Sequence, residues 1–455
     1  MKRSGEHAIV IGASMGGLLA ARAVSEFYDN VTVLERDAFP ASDVPRKGVP
    51  QGRHAHGLLA RGRDVIEAFF PGWTDEVVAS GGRRGDIAGD VGWIGHGVTL
   101  KSAPSDMVGV LASRPALEGH VRRRLLALSN VRAIENCTVQ GLVATNDNGA
   151  IQGVRVRING GAEQELLADL VIDAAGRGSS SPAWLEGLGY APPEEERIEI
   201  GIGYTTRLYR RHPTDLRGKV ALVVAGSGPN WRNGAVLYQT EDCWIVSIGG
   251  YLGDHAPDDE QMFAAYARSL PTSDIYDIVS HAEPVSDFVS YRFSANLRRR
   301  YERLPRFPKS YLVFGDALCS FNPVLGQGMT VAAQEASLLR ECLAEAGDTD
   351  LARRFFNAVQ GAIDIPWDIA VGNDLRHPQV AGPRSAKVKF INWYIGKLHR
   401  AAQYDGKLAT AFLQVANLKA PPERLLHPAI VLRVMLGNLA RGRGDAATTK
   451  MSAQT

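Results

Sequence analysis

Residues 7–37 read HAIVIGASMGGLLAARAVSEFYDNVTVLERD, and this stretch decides the fold. His7 to Ile11 is an apolar run of strand length, Gly12 to Gly17 a turn of small residues, Leu18 to Phe27 has helical character, and Val31 to Leu34 returns as a second buried strand ending at Glu35. Strand, tight turn, helix and strand in this order form a βαβ dinucleotide unit. Gly12 lets the chain turn off the strand, Ser14 keeps backbone close to a pyrophosphate, and Gly17 allows the helix to pack tightly on the sheet. The helix N-terminus then faces the phosphates. Glu35 stands where a carboxylate accepts both ribose hydroxyls and repels a 2′-phosphate, which favours FAD or NAD over NADP at this site. The fingerprint is G-x-S-x-G-G, with Ser14 in place of the usual second glycine.

Working outward, RDAFPASDVPRKGVPQGRHAHGLLARGRD follows as a long loop before a helix expected over about 55–70. Long loops in compact domains usually carry function. Arg46, Lys47, Gln51, Arg53, His54 and His56 crowd into this one. The segment LASRPALEGHVRRRLLAL gives a strand end and an amphipathic helix, with Arg114 just before it, where an arginine reaches a phosphate or a flavin edge. Val131 to Leu170 alternates as a β-meander that should lie beside the nucleotide. A buried strand ends at Asp173, which is equally readable as a turn former.

From about Ile198 to Asp254 the runs IGIGYTTRLYR, KVALVVAG, NGAVLYQT and CWIVSIGG predict an antiparallel sheet. Tyr204, Arg207, Tyr238 and Trp244 on it are candidate substrate neighbours, or else ordinary sheet packing. A second informative stretch, SYLVFGDALCSFNPVLGQGMTVAAQEASLLRECL, places Gly315 and Asp316 at a strand end, a loop over Pro323 to Gly328, and a helix from Met329. An aspartate and a helix N-terminus side by side offer a hydroxyl acceptor and an electropositive backbone cluster. Beyond about Ile365 the chain reads as amphipathic helices, which either cap the pocket or pack on the body, and then a disordered polar tail.

The chain has 455 residues, which suggests two or three domains, and 45% apolar residues, ordinary for a soluble globular protein. The net charge of +2 implies no nucleic-acid partner. Cys137, Cys243, Cys319 and Cys342 are too widely spaced for a zinc or dithiol site, so no metal is expected, and a reducing cytoplasm fits. No apolar run reaches the ~20 residues needed to cross a bilayer, and no signal peptide precedes the first strand. Weak membrane association through the C-terminal stripes is the remaining membrane option.

GASMGG with Glu35, SRPALEGHVRRRL, IDAAGRG and FGDALCSFNPVLGQGM, in that order, resemble the class A FAD-dependent monooxygenases of the aromatic-hydroxylase fold. Within that class ERDAFP, RKGVPQGRHAH and YTTRLYR resemble the squalene-epoxidase-like branch that includes bacterial polyether epoxidases. The resemblance implies an α/β protein with a Rossmann-like FAD-binding domain (1–75, 108–190 and 300–362), an inserted antiparallel-sheet substrate domain (76–107 and 191–299), a C-terminal helical segment (363–440) and a tail (441–455). It implies FAD contacts from Gly12, Ser14, Gly17, Glu35, Arg36, Arg46, Lys47, Gln51, Arg114, Thr138, Val139, Asp173, Gly315, Asp316, Pro323, Gly326, Gly328 and Met329. It further implies electrons from NADH or NADPH, direct or through a separate flavin reductase, and transfer of oxygen from a flavin C4a-hydroperoxide to an apolar polyene, terpenoid or polyketide. His56, near the flavin edge, is the candidate for proton transfer. The W-x-W-x-I-P segment of the flavin halogenases is absent, which disfavours halogenation. Alternatives on this fold are a phenolic hydroxylase, a geranylgeranyl-reductase-like reductase, dehydrogenase or cyclase, and a flavin-binding subunit without turnover.

Overall fold

The computed structural model describes residues 3–345 and 350–439. Its centre is a five-stranded parallel sheet in the order Tyr311–Val313, Leu170–Asp173, Gly5–Ile11, Tyr28–Leu34, Val131–Ile134. All five strands are short and nearly continuous in apolar residues, as strands covered on both faces must be. The helices Met15–Val24 and Gly328–Ala344 lie on it, and both are rich in small residues on the facing side. The core they close includes Ile9, Val10, Leu19, Val33, Ile172 and Leu312, all essentially inaccessible to solvent.

A second, eight-stranded sheet holds Glu195–Arg210 at its middle, with Val289–Arg299 and Cys243–Gly250 as antiparallel neighbours. Val91–Gly95 and the short Val98–Thr99 complete its far edge, joined through a parallel pairing with Ala221–Val224. The helices Glu260–Arg268 and Asp274–His281 cover one face through Phe263, Ile275 and Val279. The α/β class with a parallel sheet, an antiparallel-rich sheet and a helical C-terminal part is as expected.

Three local expectations are corrected. Val131–Ile134 is not part of the meander: it pairs in parallel with Tyr28–Leu34, because it follows the helix Arg114–Leu126 as the closing strand of a further βαβ crossover. Only 137–144, 151–158 and 163–167 form the antiparallel ribbon. The helix expected over 55–70 begins at Ala60, since the backbone before it is pulled toward the large sheet, where the Ala55 amide donates to Ser247 Oγ (3.2 Å). A boundary at 363 falls inside one unbroken helix, Leu351–Asp374, which runs through the buried Pro366. The helices Ala386–Ala402 and Gly406–Ala416 follow and form their own small core with Leu100 and Met107. No helix among the described residues is long and apolar enough to cross a membrane. The tail expected from 441 lies outside the described residues.

Candidate active site

The turn after the first strand is built as the sequence requires. Gly12 has φ +98°, and a side chain there would meet the Ala174 carbonyl oxygen at 2.6 Å. A Cβ on Gly17 would stand 1.8 Å from the Gly12 carbonyl oxygen, so only glycine lets the helix lie this close. Ser14 is the N-cap of Met15–Val24, but its hydroxyl does not cap the helix. It donates instead to Glu118 Oε2 (2.8 Å). Glu35, buried at the end of the second strand, accepts from the Ala13 amide (2.9 Å) and pairs with Arg46 (2.9 Å).

Two arginines converge on this helix N-terminus. Arg46 donates to the Ala13 carbonyl (2.9 Å) and to Glu118 Oε1 (2.6 Å), and Arg114 donates to Ser14 Oγ (3.1 Å) and Glu118 Oε2 (3.2 Å). Both arginines and Glu118 are buried. Burial works against the Glu118 carboxylate, but Arg114 and then Arg46 hold it below the usual range, so it stays ionised. Glu118 is shared by the two guanidiniums and Glu35 also pairs with Arg46, so the cluster is charge-balanced and offers a diphosphate two guanidiniums already held in place.

At the other end of the cleft Gly315 (φ +66°) and Asp316 follow the strand Tyr311–Val313. The Asp316 carboxylate opens onto the cleft and accepts no hydrogen bond from the protein among the described residues. Protein around it raises its affinity for a proton, while Arg114 and Arg177 pull the other way. Behind it the buried Glu335 takes the Gly315 amide (2.7 Å), and burial pushes that carboxyl up to about 8. The turn Pro323–Leu325 is capped by Asn322, whose Oδ1 accepts from the Val324 amide, and it ends at Gly326 in the left-handed region. Gly328 opens the helix beyond, with Met329 buried beneath.

These residues fit FAD on observed features: a glycine cradle that any Cβ would fill, an acid at the second strand's end, two cations at the helix N-terminus, and a carboxylate without a protein partner beside a second helix N-terminus. Replacing Asp316 by alanine should therefore weaken FAD binding by about 1.5–3 kcal/mol, the range for a hydrogen bond to a charged group. Fluorescence titration of the stripped protein with FAD measures it, and an unchanged dissociation constant removes Asp316 from the site.

Other nominated residues are placed differently. Asp173 is fully buried and saturated: it accepts from the Ala175 amide (2.8 Å), Ser179 Oγ (2.5 Å) and the Ser181 hydroxyl. It anchors its own turn, with no surface exposed to a cofactor hydroxyl. Arg36 and Lys47 are exposed and Gln51 is half-buried in a short helical turn. Thr138 and Val139 sit on a strand whose first amide, that of Cys137, donates to the Glu35 carbonyl (2.8 Å).

On the large sheet, side-chain parity separates the four candidates. Tyr204 faces the cleft with Thr206, against His54: the Tyr204 and His54 rings meet edge-on at 4.9 Å, and His54 Nδ1 bonds Thr206 Oγ1 (2.7 Å). Arg207 lies on the opposite face, over Phe288 (4.3 Å). Trp244, in register with Tyr238 and Tyr209, packs among Val236 and Phe263 and donates to Asp215 (2.7 Å). Three of the four thus belong to the packing under the helices, as successive side chains alternate faces. Tyr291, which no sequence feature marked, completes the cleft wall at 5.6 Å from Tyr204.

His56 is half-buried, with Nδ1 on the His54 carbonyl (3.0 Å). Burial, then the Arg114 charge, push it down to about 3, and burial with Arg53 pushes His54 to about 4. Both are neutral at physiological pH, which removes His56 as a group titrating near neutrality. Glu118 was missed, and His54 was marked only together with His56. Glu118 was detectable, since Arg114 and Glu118 stand four apart on one helix face; nothing local distinguishes His54 from His56.

No family model matches the chain. It is 33% identical to the Mycobacterium tuberculosis protein Rv3254, over 98% of each chain. It is 24% identical to a kynurenine 3-monooxygenase of Salinispora arenicola, over 83% of this chain and 81% of the relative. The squalene epoxidase 4 of Arabidopsis thaliana is 23% identical over 74% of this chain and 61% of its own. Among solved structures, the Pseudomonas aeruginosa protein PqsL, described as a probable FAD-dependent monooxygenase, superposes with a TM-score of 0.62 at 17% identity, over 85% of this chain and 100% of that one.

Proposed function

We propose that this chain, 33% identical to Rv3254 over 98% of each chain and more distantly similar to a kynurenine 3-monooxygenase and a squalene epoxidase, is a class A flavin-dependent monooxygenase that transfers one atom of dioxygen to an apolar polyene, terpenoid or polyketide, by epoxidation or hydroxylation. The observation that carries this reading is the convergence of Glu35, Arg46, Arg114 and Asp316 on one cleft whose opposite wall is the Tyr204, Thr206 and Tyr291 face of the large sheet. FAD, reduced by NADH or NADPH directly or through a reductase, supplies the oxygen chemistry. The chain's part is positional. Glu35 receives the adenosine ribose, Arg46 and Arg114 the diphosphate, and Asp316 the polyol chain. The amides from Gly326 to Met329, at the start of the helix Gly328–Ala344, would stabilise negative charge on a flavin ring held there. Tyr204, Tyr291 and His54 form the wall that orients substrate and excludes water.

With both histidines neutral, no group at the wall gains or loses a proton near pH 7, and an alkene needs none. Single-turnover oxygen transfer should therefore show no step near pH ~6.5, where an ordinary histidine titrates, whereas a step near 8 would report Glu335 behind Asp316 and not the wall. His56→Ala should cost well below the ~10²-fold of a lost general acid or base. The same shifts set the sign for stability. His54 and His56 have folded pKa values below 6.5, so their contribution is complete above that pH and is lost as pH falls toward about 4 and 3. Phenolic hydroxylation is the second reading. A steep rate dependence near pH ~6.5 that disappears in His56→Ala would favour it over epoxidation.

A further inference from the structure

A groove of about 490 Å³ opens between the loop that carries Trp231, the hairpin tip at His96 and the C-terminal helices. Its charged lining residues are Arg376, Arg384 and Lys389, and no carboxylate lines it among the described residues. Arg384 is fixed by donating to the carbonyls of Leu375, His377, Pro378 and Val380, so it closes the end of Leu351–Asp374 but keeps its charge. Arg376 has a single neutral side-chain partner, Asn373 Oδ1 (2.9 Å), and lies 5.5 Å from the Trp231 ring centre. Burial lowers its affinity for its proton, and no carboxylate offsets that. Lys389 is exposed and forms no ion pair among the described residues. Three cations with no acidic partner among the described residues contrast with the Arg298–Arg300 run, where each arginine meets a glutamate. The groove lies next to the cleft, separated by packed side chains: Trp231, Leu375 and Val388 share one apolar cluster with Tyr291 and with Val324 of the Pro323–Leu325 turn.

We propose that this groove is a subsite for an anionic group of the substrate, whose apolar body runs along Trp231, Leu375 and Val388 toward Val324 while Arg376 and Lys389 hold a carboxylate or phosphate end. The inference rests on the monooxygenase reading for the word substrate, and it narrows that substrate to an amphiphilic acid. A guanidinium fork beside an aromatic plane suits a compact oxyanion joined to an apolar skeleton.

Calorimetric titration of the purified holoprotein with naphthoate, naphthyl phosphate and the uncharged naphthamide tests it. At least one anion should bind about 10- to 100-fold more tightly than the amide, as expected of a hydrogen bond to a charged group. The tighter anion tells carboxylate from phosphate. Arg376→Gln should abolish the preference, Arg376→Lys should keep part of it, and the exposed Lys389→Gln, which cannot disturb the core, should reduce it severalfold. Arg210→Gln, on the sheet's outer rim, should leave it intact. Equal affinity for all three probes, no binding of either anion at millimolar concentration, or a preference that survives both Arg376→Gln and Lys389→Gln overturns the proposal. Flavin content is measured on the same samples. A colourless protein that still prefers the anions would sink the flavin reading and leave the subsite standing, whereas a yellow protein without preference would do the reverse.

Discussion

Gly17→Ala is expected to yield a chain that retains no FAD and melts far below the parent, whereas Gly16→Ala, one residue away, should be nearly silent. The two methyl groups meet different surroundings. On Gly16 the nearest heavy atom would be the Ala332 Cβ at 3.8 Å, an ordinary contact. On Gly17 it would be the Gly12 carbonyl oxygen at 1.8 Å, which is backbone and cannot rotate away. Gly12 cannot retreat either, because it is itself packed against the Ala174 carbonyl with a positive φ. Relief therefore requires lifting the helix off the sheet, which also carries its N-terminus away from the phosphates. The cost should exceed the ~3 kcal/mol of ordinary overpacking, a large share of the roughly 5–15 kcal/mol that holds a typical domain folded. Flavin per chain and the thermal midpoint, measured on both variants, check it. Equal behaviour of the pair would mean that the first βαβ turn is not the cofactor cradle.

The second large effect is expected at Glu118. Its two oxygens separate Arg46 from Arg114 in a buried setting, and Glu118→Gln leaves two guanidiniums facing each other, with Glu35 and the more distant Asp37 balancing Arg46 and no carboxylate among the described residues paired with Arg114. Removing one member of a buried charge cluster typically costs ~3–5 kcal/mol. The loss should be greatest in the FAD-stripped protein and should shrink when FAD is added, because a diphosphate supplies the missing negative charge. Melting the wild type and Glu118→Gln with and without FAD tests this. The same FAD-induced gain in both proteins would show that Arg46 and Arg114 do not meet the diphosphate.

How much of this was legible follows physical lines. The parallel sheet and its turn were readable because each small residue answers a steric demand that only glycine meets, and because strand, turn, helix and acid occur within one short stretch. Asp316 was readable for the same local reason. Residues whose roles depend on pairing between distant strands were not. Tyr204 and Arg207 are three apart on one strand, so period-two alternation alone places them on opposite faces. Which face meets the cleft is decided only by the loop at His54, which sits 152 residues from its partner Thr206. Tyr238 and Trp244 were drawn into the pocket by their chemistry, while register with Tyr209 puts them beneath the helices. Asp173, readable either as a turn former or by resemblance as a cofactor neighbour, is held as a turn former by Ser179 and Ser181, visible in GRGSSS.

The most direct test of oxygen transfer is to reduce the purified FAD-bound protein anaerobically and mix it with a candidate unsaturated acid and isotopically heavy dioxygen. Mass spectrometry then locates the label. A monooxygenase places one heavy oxygen atom in the product and the other in water, and forms no product when dioxygen is withheld. A product that forms without dioxygen, or that carries oxygen only from solvent water, would contradict this and return the fold to reductase or cyclase chemistry.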